Sequence, residues 1–388
     1  MFTVTMGVFF TFIGVFLKDS GFLEGFLGKT LSLCTISIAL SSLLFSFLIK
    51  NYRYKKIIIL GVILLAAGMT GVILSTNTVS IFISVILIGM GFSMHMTSEG
   101  AFLSVHNKER DRVRVFSYNF AIKNIGVILG SLIGGRVSDL LIHPFDRITA
   151  MKIIFILCGI LLLCSIRPIN KITENEVVRE DKMNFKDYYR SYISLLRGRI
   201  LMFLLYKSTI GLGAGMVVPF FSVYLKYTLD IENSIVGVIF SIAQMGCVLG
   251  GLAVPYLVKV WGRERTVIIC QLLSVPFLIS IAFPQGIILI TISFLMRSTL
   301  MNLNNPINQN LSMEMVGEEE RPILSSLFAL SGNFTRAIGI VLGGYLMENV
   351  SYNTPYYFTI ILYLLGTYLF FRIFGMGKPK KTLPVTKV

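Results

Sequence analysis

The sequence predicts an all-α membrane protein of twelve transmembrane helices, arranged as two pseudo-symmetric six-helix bundles. Three observations carry that expectation. First, 54% of the 388 residues are hydrophobic and only 14% are charged, against about 25% charged in soluble domains; the mean hydropathy is +0.77. Second, apolar runs near the roughly 20 residues needed to cross a bilayer recur along the whole chain. Third, the stretch from Asn107 to Gly135 returns at an offset of 209 residues. At that offset Glu109 falls on Glu318, Arg112 on Arg321, Ser117 on Ser326, Asn124 on Asn333, Gly130 on Gly339, Gly134 on Gly343 and Gly135 on Gly344. A charged connector running into a glycine-faced helix thus occurs twice, and such doubling points to a transporter.

In order, the spans fall near 3–18, 25–49, 57–76, 79–105, 113–142, 150–167, 199–226, 234–258, 266–284, 286–313, 322–347 and 353–374. They divide the chain into a bundle over 1–167, a charged linker over 168–198, a second bundle over 199–374 and a basic tail over 375–388. The linker's aromatic segment, Phe185 to Tyr192, reads as a short amphipathic helix lying on the membrane surface. Span 1 matches span 7 through Phe16, Leu17 and Lys18 against Tyr224, Leu225 and Lys226, leaving Leu201–Ser208 without a counterpart. Either span 1 is short or the start lies upstream of Met1, and the second reading is preferred.

The net charge of +15 is topological. With the N-terminus inside, cytoplasmic segments hold 25 of the 35 Lys and Arg, which is the positive-inside signal. Both termini are therefore expected in the cytoplasm, with the chain in the plasma membrane and no nucleic-acid partner. Cys34, Cys158, Cys164, Cys247 and Cys270 all fall inside spans without metal-like spacing, and read as small packing residues. No secretory leader is visible: the N-terminus lacks a basic region and a small-residue cleavage site. No nucleotide loop, metal cluster or Ser/His/Asp arrangement appears, so neither enzyme nor cofactor is expected.

The segments after spans 2 and 8 align at the same offset, Lys50 on Lys259 and Lys56 on Arg265. Together with the glycine stretch, they make the chain resemble the major facilitator superfamily. That family carries a Gly-x-x-x-Asp-Arg-x-Gly-Arg-Arg loop between helices 2 and 3, echoed between helices 8 and 9. Here Gly262, Arg263 and the basic Lys55, Lys56 and Arg265 keep the pattern, while Lys50 and Lys259 stand where Asp is expected. The cytoplasmic latch that this Asp supports must then be built differently. The family's fifth-helix antiporter motif, Gly-x-x-x-Gly-Pro-x-x-Gly-Gly, is matched by Gly126, Gly130, Gly134 and Gly135, with Ser131 in place of Pro. The alternative reading of these glycines is plain packing of helix 5 on helix 8.

Ionisable groups inside a span cost about 2.5–3.5 kcal/mol each and default to functional candidates. They are His95 and Glu99 on span 4, Lys123 on span 5, Lys207 on span 7, Arg297 on span 10 and Arg336 on span 11. By the resemblance, helices 1, 4, 7 and 10 line a central cavity, which places four of the six on its wall. Glu99 and Lys123 are equidistant from the connector at Asp111 and should meet, either as a structural pair or as a proton carrier with its partner. The three deep cations of the second half favour an anionic or zwitterionic substrate. Pro306 interrupts span 10 among Asn304, Asn305 and Asn308. Asn304 and Asn308 align with His95 and Glu99, which suggests a polar site between helices 4 and 10.

The expectation is a monomeric secondary transporter in the lipid bilayer, moving a small organic solute by proton-linked efflux. The alternatives are uptake of an organic anion or peptide-like solute by symport, and a non-transporting sensor on the same fold. Cysteines introduced at Asn175 and Lys380 should label from the cytoplasm, and those at Asn77 and Asn353 from outside. Labelling of position 175 by an impermeant reagent on intact cells would overturn the topology.

Overall fold

The computed structural model describes residues 1–48, 54–75, 77–106, 109–171, 196, 198–283, 286–316 and 321–375. Lys50, the expected amphipathic segment of the linker and the basic tail beyond Gly375 lie outside the described residues. Among those described, twelve helices are long and apolar enough to cross a membrane. We label them α1 Phe2–Asp19, α2 Glu24–Leu48, α3 Tyr54–Leu74, α4 Thr78–His106, α5 Glu109–Ile142 and α6 Arg147–Asn170. The second half has α7 Gly198–Leu229, α8 Asn233–Trp261, α9 Arg263–Ala282, α10 Ile287–Met313, α11 Arg321–Asn349 and α12 Thr354–Phe374.

Local chemistry sets several of these ends. Asn77 Oδ1 accepts from the Ser80 amide at 2.8 Å at the start of α4. Asp146 does the same for Thr149 at the start of α6, at 3.1 Å, and that bond holds its carboxyl below the usual range. Gly262, with φ of +82°, makes the corner between α8 and α9 that a side chain would strain. Pro219 lies in a 3-10 turn, Val218–Phe220, which divides α7. Pro255, Pro276 and Pro306 lie inside α8, α9 and α10.

The glycines place the helices. Gly126, Gly130 and Gly134 of α5 lie against α1: a Cβ built on Gly130 would stand 3.1 Å from Gly7 Cα and collide with the Val4 carbonyl. The second half repeats this, with Gly339 and Gly343 of α11 against Leu212, Gly215 and Met216 of α7. Thus the main glycine face of α5 packs on α1, within its own bundle, rather than on α8. Only Gly135, one residue on, faces α8: its Cβ would meet Asn233 and stand 3.1 Å from Ser234 Cα. Gly344 correspondingly faces α2, 3.0 Å from Gly28 Cα. One residue along a helix turns the side-chain direction by about 100°, so a double glycine serves two neighbours. Ser131, where the motif has Pro, shares a hydrogen bond with Thr11 at 2.9 Å inside the first bundle.

The two bundles therefore meet along α2–α11 and α5–α8. The hydrogen bonds that join them cluster at the end holding the α1–α2 and α7–α8 turns, which we call the sealed end. Deeper in, Ser241 reaches the Ile128 carbonyl at 3.0 Å and Gln244 donates to Asn124.

Gly130→Ala and Gly339→Ala should each destabilise the protein by about 1–3 kcal/mol through overpacking against backbone that cannot yield. Gly251→Ala, with open space around it, should be neutral. Thermal unfolding in detergent measures both, and equal midpoints for all three variants would refute the backbone contact.

Candidate functional site

The deep charges divide into two unlike groups. In the first half, α4 carries His95 and Glu99 one turn apart, and α5 brings Lys123 to the same depth. Lys123 Nζ lies 2.6 Å from Glu99 Oε2, and His95 Nε2 is 3.8 Å from the same oxygen. The expected pair forms, although α4 ends at His106 and α5 already begins at Glu109, so the helices do not turn about Asp111. Phe2 of α1 stacks on the imidazole with ring centroids 3.6 Å apart. His95 Nδ1 is buried without a hydrogen-bond partner.

The second half holds the cations. Lys207 of α7, Arg297 of α10 and Arg336 of α11 line one cavity of about 430 Å³, and all the residues around it belong to α7, α8, α10, α11 and α12. Phe221, Phe240, Phe294 and Phe328 supply its apolar wall, and Gln244, Asn302, Asn305 and Asn333 its neutral polar groups. No carboxylate is among the described residues that line it. Through Lys207, Asn305 and Phe328 it continues into a smaller space of about 250 Å³, bordered by Gln309, Ser312 and Met313 at the end of α10 away from the sealed end.

Arg297 is only 4% exposed. Its Nη2 donates to the Tyr363 hydroxyl at 2.7 Å, and its guanidinium lies 5.0 Å from the centre of the Phe221 ring. Nε has no hydrogen-bond partner. Tyr363 is a partner that sequence spacing does not single out, since span 12 carries hydroxyls at Thr359, Tyr363 and Thr367 alike. Gln244 and Asn333 were likewise missed, although both are amides in the middle of apolar spans.

Helix 10's asparagines divide by face. Asn302 and Asn305 border the cavity. Asn304 and Asn308 are 2% and 3% exposed and turn into the second bundle, Asn308 also bordering the smaller space. Asn308 Nδ2 donates to the Tyr206 hydroxyl at 3.0 Å, and that hydroxyl also accepts from Gln271 at 2.6 Å, whose own oxygen accepts from Thr367 at 3.0 Å. These bonds tie α7, α9, α10 and α12 together. The structure therefore does not bring His95 and Glu99 to Asn304 and Asn308, despite their matched repeat positions. Of the loop motif, Arg263 bonds Glu314 at 2.5 Å and Asn310 at 2.6 Å, joining the start of α9 to the end of α10. Lys55 donates to the Asn170 carbonyl at 2.5 Å, Lys56 is exposed, and Arg265 Nε is buried without a hydrogen-bond partner.

Twelve helices in two related bundles, the second holding a cavity with three cations, are the architecture of a membrane transporter, and comparison with known proteins gives the family. The profile of the Major Facilitator Superfamily matches residues 1–198 and 203–387. This chain belongs to that superfamily: it is a multi-pass membrane transporter and not an enzyme. It is 26% identical over 386 residues to the quinolone resistance protein NorA of Staphylococcus aureus strain MSSA476, with 94% of each chain covered. Its fold superimposes on the crystal structure of the nucleoside transporter NupG with a TM-score of 0.79, covering 96% of both chains at 13% identity. A bacterial homologue of the human lysosomal transporter Spinster, inward-facing and occupied, gives 0.76 at 10% identity, over 96% of this chain and 93% of that one.

Proposed function

We propose that this chain is a monomeric, proton-coupled exporter of small amphipathic organic anions in the plasma membrane, with both termini in the cytoplasm. The observation that carries this reading is the cavity with three cations, four phenyl rings and no lining carboxylate among its described residues. Several like charges in a low-dielectric space favour a counter-charge brought by the ligand. The phenyl rings favour a ligand with apolar surface. The likeness to a quinolone resistance protein and the glycine pattern of α5 support export over uptake. On this reading the end away from the sealed end faces the cytoplasm, and the described state loads substrate from there.

Coupling is assigned to the other bundle. Glu99 is the carboxylate deep within a span, and Lys123 of the neighbouring helix lies 2.6 Å from it. Glu99→Gln should abolish pH-driven export while leaving substrate exchange across sealed vesicles largely intact. If the double variant Glu99→Gln with Lys123→Met folds and exports like the parent, the pair is structural and the proton travels elsewhere.

The substrate reading is tested at Arg297. Arg297→Gln should raise the apparent constant for an aromatic carboxylate roughly tenfold or more, as expected for a lost charged hydrogen bond. Arg297→Lys should recover only part, because a point charge does not replace a planar fork. A neutral amide analogue should be much less affected. Equal losses for acid and amide would mean that Arg297 holds α10 to α12 through Tyr363 and not the ligand.

A further inference from the structure

The sealed end repeats a contact that the repeat alignment alone does not reveal. At the end of α5, Asp139 Oδ2 accepts from the backbone amide of Ser234 at 2.6 Å, in the first turn of α8. At the end of α11, Glu348 Oε2 accepts from the amide of Gly25 at 2.7 Å, in the first turn of α2. Both bonds cross between bundles. Asp139 and Glu348 are 209 residues apart, as are Ser234 and Gly25, so the two contacts are images under the same internal symmetry.

Two physical features make these bonds suited to repeated making and breaking. The first amides of a helix have no partner within it, and a carboxylate there also meets the positive end of the helix dipole. Each bond is therefore favourable yet leaves nothing buried and unpaired when water replaces it, because Asp139 is half-buried and Glu348 is exposed. Just below them, Gly135 against Asn233 and Gly344 against Glu24 and Gly28 let the backbones close without a side chain between. Two other acids of this end are already engaged: Asp19 accepts from Tyr227 at 2.5 Å and lies 3.7 Å from Lys226, and Glu24 is bonded by Lys18 and Tyr352.

We propose that Asp139 and Glu348 are a matched pair of gate residues, each carboxylate capping the first turn of a helix in the opposite bundle, and that release of both opens the sealed end in the transport cycle. Neither touches the cavity, so the proposal stands on the fold and not on the substrate assignment. Two latches on opposite sides of the passage share no partner, so their effects should multiply.

The test uses a cysteine at Val223, which is fully buried beneath the gate against Gly14 of α1. In the full-length protein in liposomes, a water-soluble thiol reagent is applied and adduct at position 223 is read by peptide mass, which separates it from the five native cysteines. Asp139→Asn and Glu348→Gln should each speed labelling roughly two- to fivefold, the range expected for losing a charge at a helix N-terminus. The double variant should approach the product. Asp139→Glu, which keeps the charge, should label close to the parent rate. A purely structural cap would lower the melting temperature without changing accessibility at 223. Any single or double neutral variant that is folded by thermal unfolding, yet labels at the parental rate, overturns the proposal.

Discussion

Within a bilayer, lipid tails solvate an apolar helix as well as another helix does, so association depends on how closely two backbones can approach. In this chain that approach is made by glycines set against glycines or bare carbonyls: Gly130 over Gly7, Gly339 over Gly215, Gly344 over Gly28, Gly237 over Gly135. The first two build each bundle and the last two bring the bundles together. Everything else is arranged on them. Gly215 lies against the backbone of Arg336, so the α7–α11 contact also determines where Lys207 and Arg336 stand across the cavity. Gly237 lies against Ser131, and one and two turns further along α8 the same approach brings Ser241 to Ile128 and Gln244 to Asn124.

Symmetry of backbone is not symmetry of charge. Internal repetition places Asn304 and Asn308 where the first bundle has His95 and Glu99, yet their surroundings differ. Tyr206 of α7 gives Asn308 a hydroxyl to bond, and the same helix carries Lys207 into the cavity. In the first bundle, Phe2 of α1 covers His95. The same repeat position is thus a packing bond in one bundle and part of a charged pair in the other. The outcome is a first bundle whose deep charges neutralise one another and a second bundle whose deep charges do not.

How much of this was legible beforehand follows from what sequence periodicity encodes. Helix existence was legible because a 20-residue apolar run has few alternatives in lipid, and the twelve expected spans match the helices to within a few residues at each end. The Glu99–Lys123 pair was legible because opposite charges deep in two consecutive antiparallel spans have each other as partners. A four-residue glycine spacing identifies a helix face but not what faces it, so α1 could not be distinguished from α8 as the partner of Gly130. The same limit hid Tyr363 as the partner of Arg297, since no local pattern relates span 10 to span 12. Asn304 and Asn305 are adjacent in sequence and about 100° apart around the helix. Only the packing decides which of them meets the cavity.

The unbalanced charge of the second bundle bears on how the halves can move. Closing the passage around Lys207, Arg297 and Arg336 with nothing between them would remove like charges from water together, at several kcal/mol per uncompensated ion. With an anion in place, much of that penalty is offset by attraction in a medium of low dielectric. On the proposed reading, an occupied cavity closes more readily than an empty one, without any element that senses the ligand. Glu99 and Lys123 belong to the other bundle and pair with each other at 2.6 Å, so they add no uncompensated charge to what the cavity must bury. The charge to be offset on closure therefore lies in the second bundle alone, with Lys207, Arg297 and Arg336.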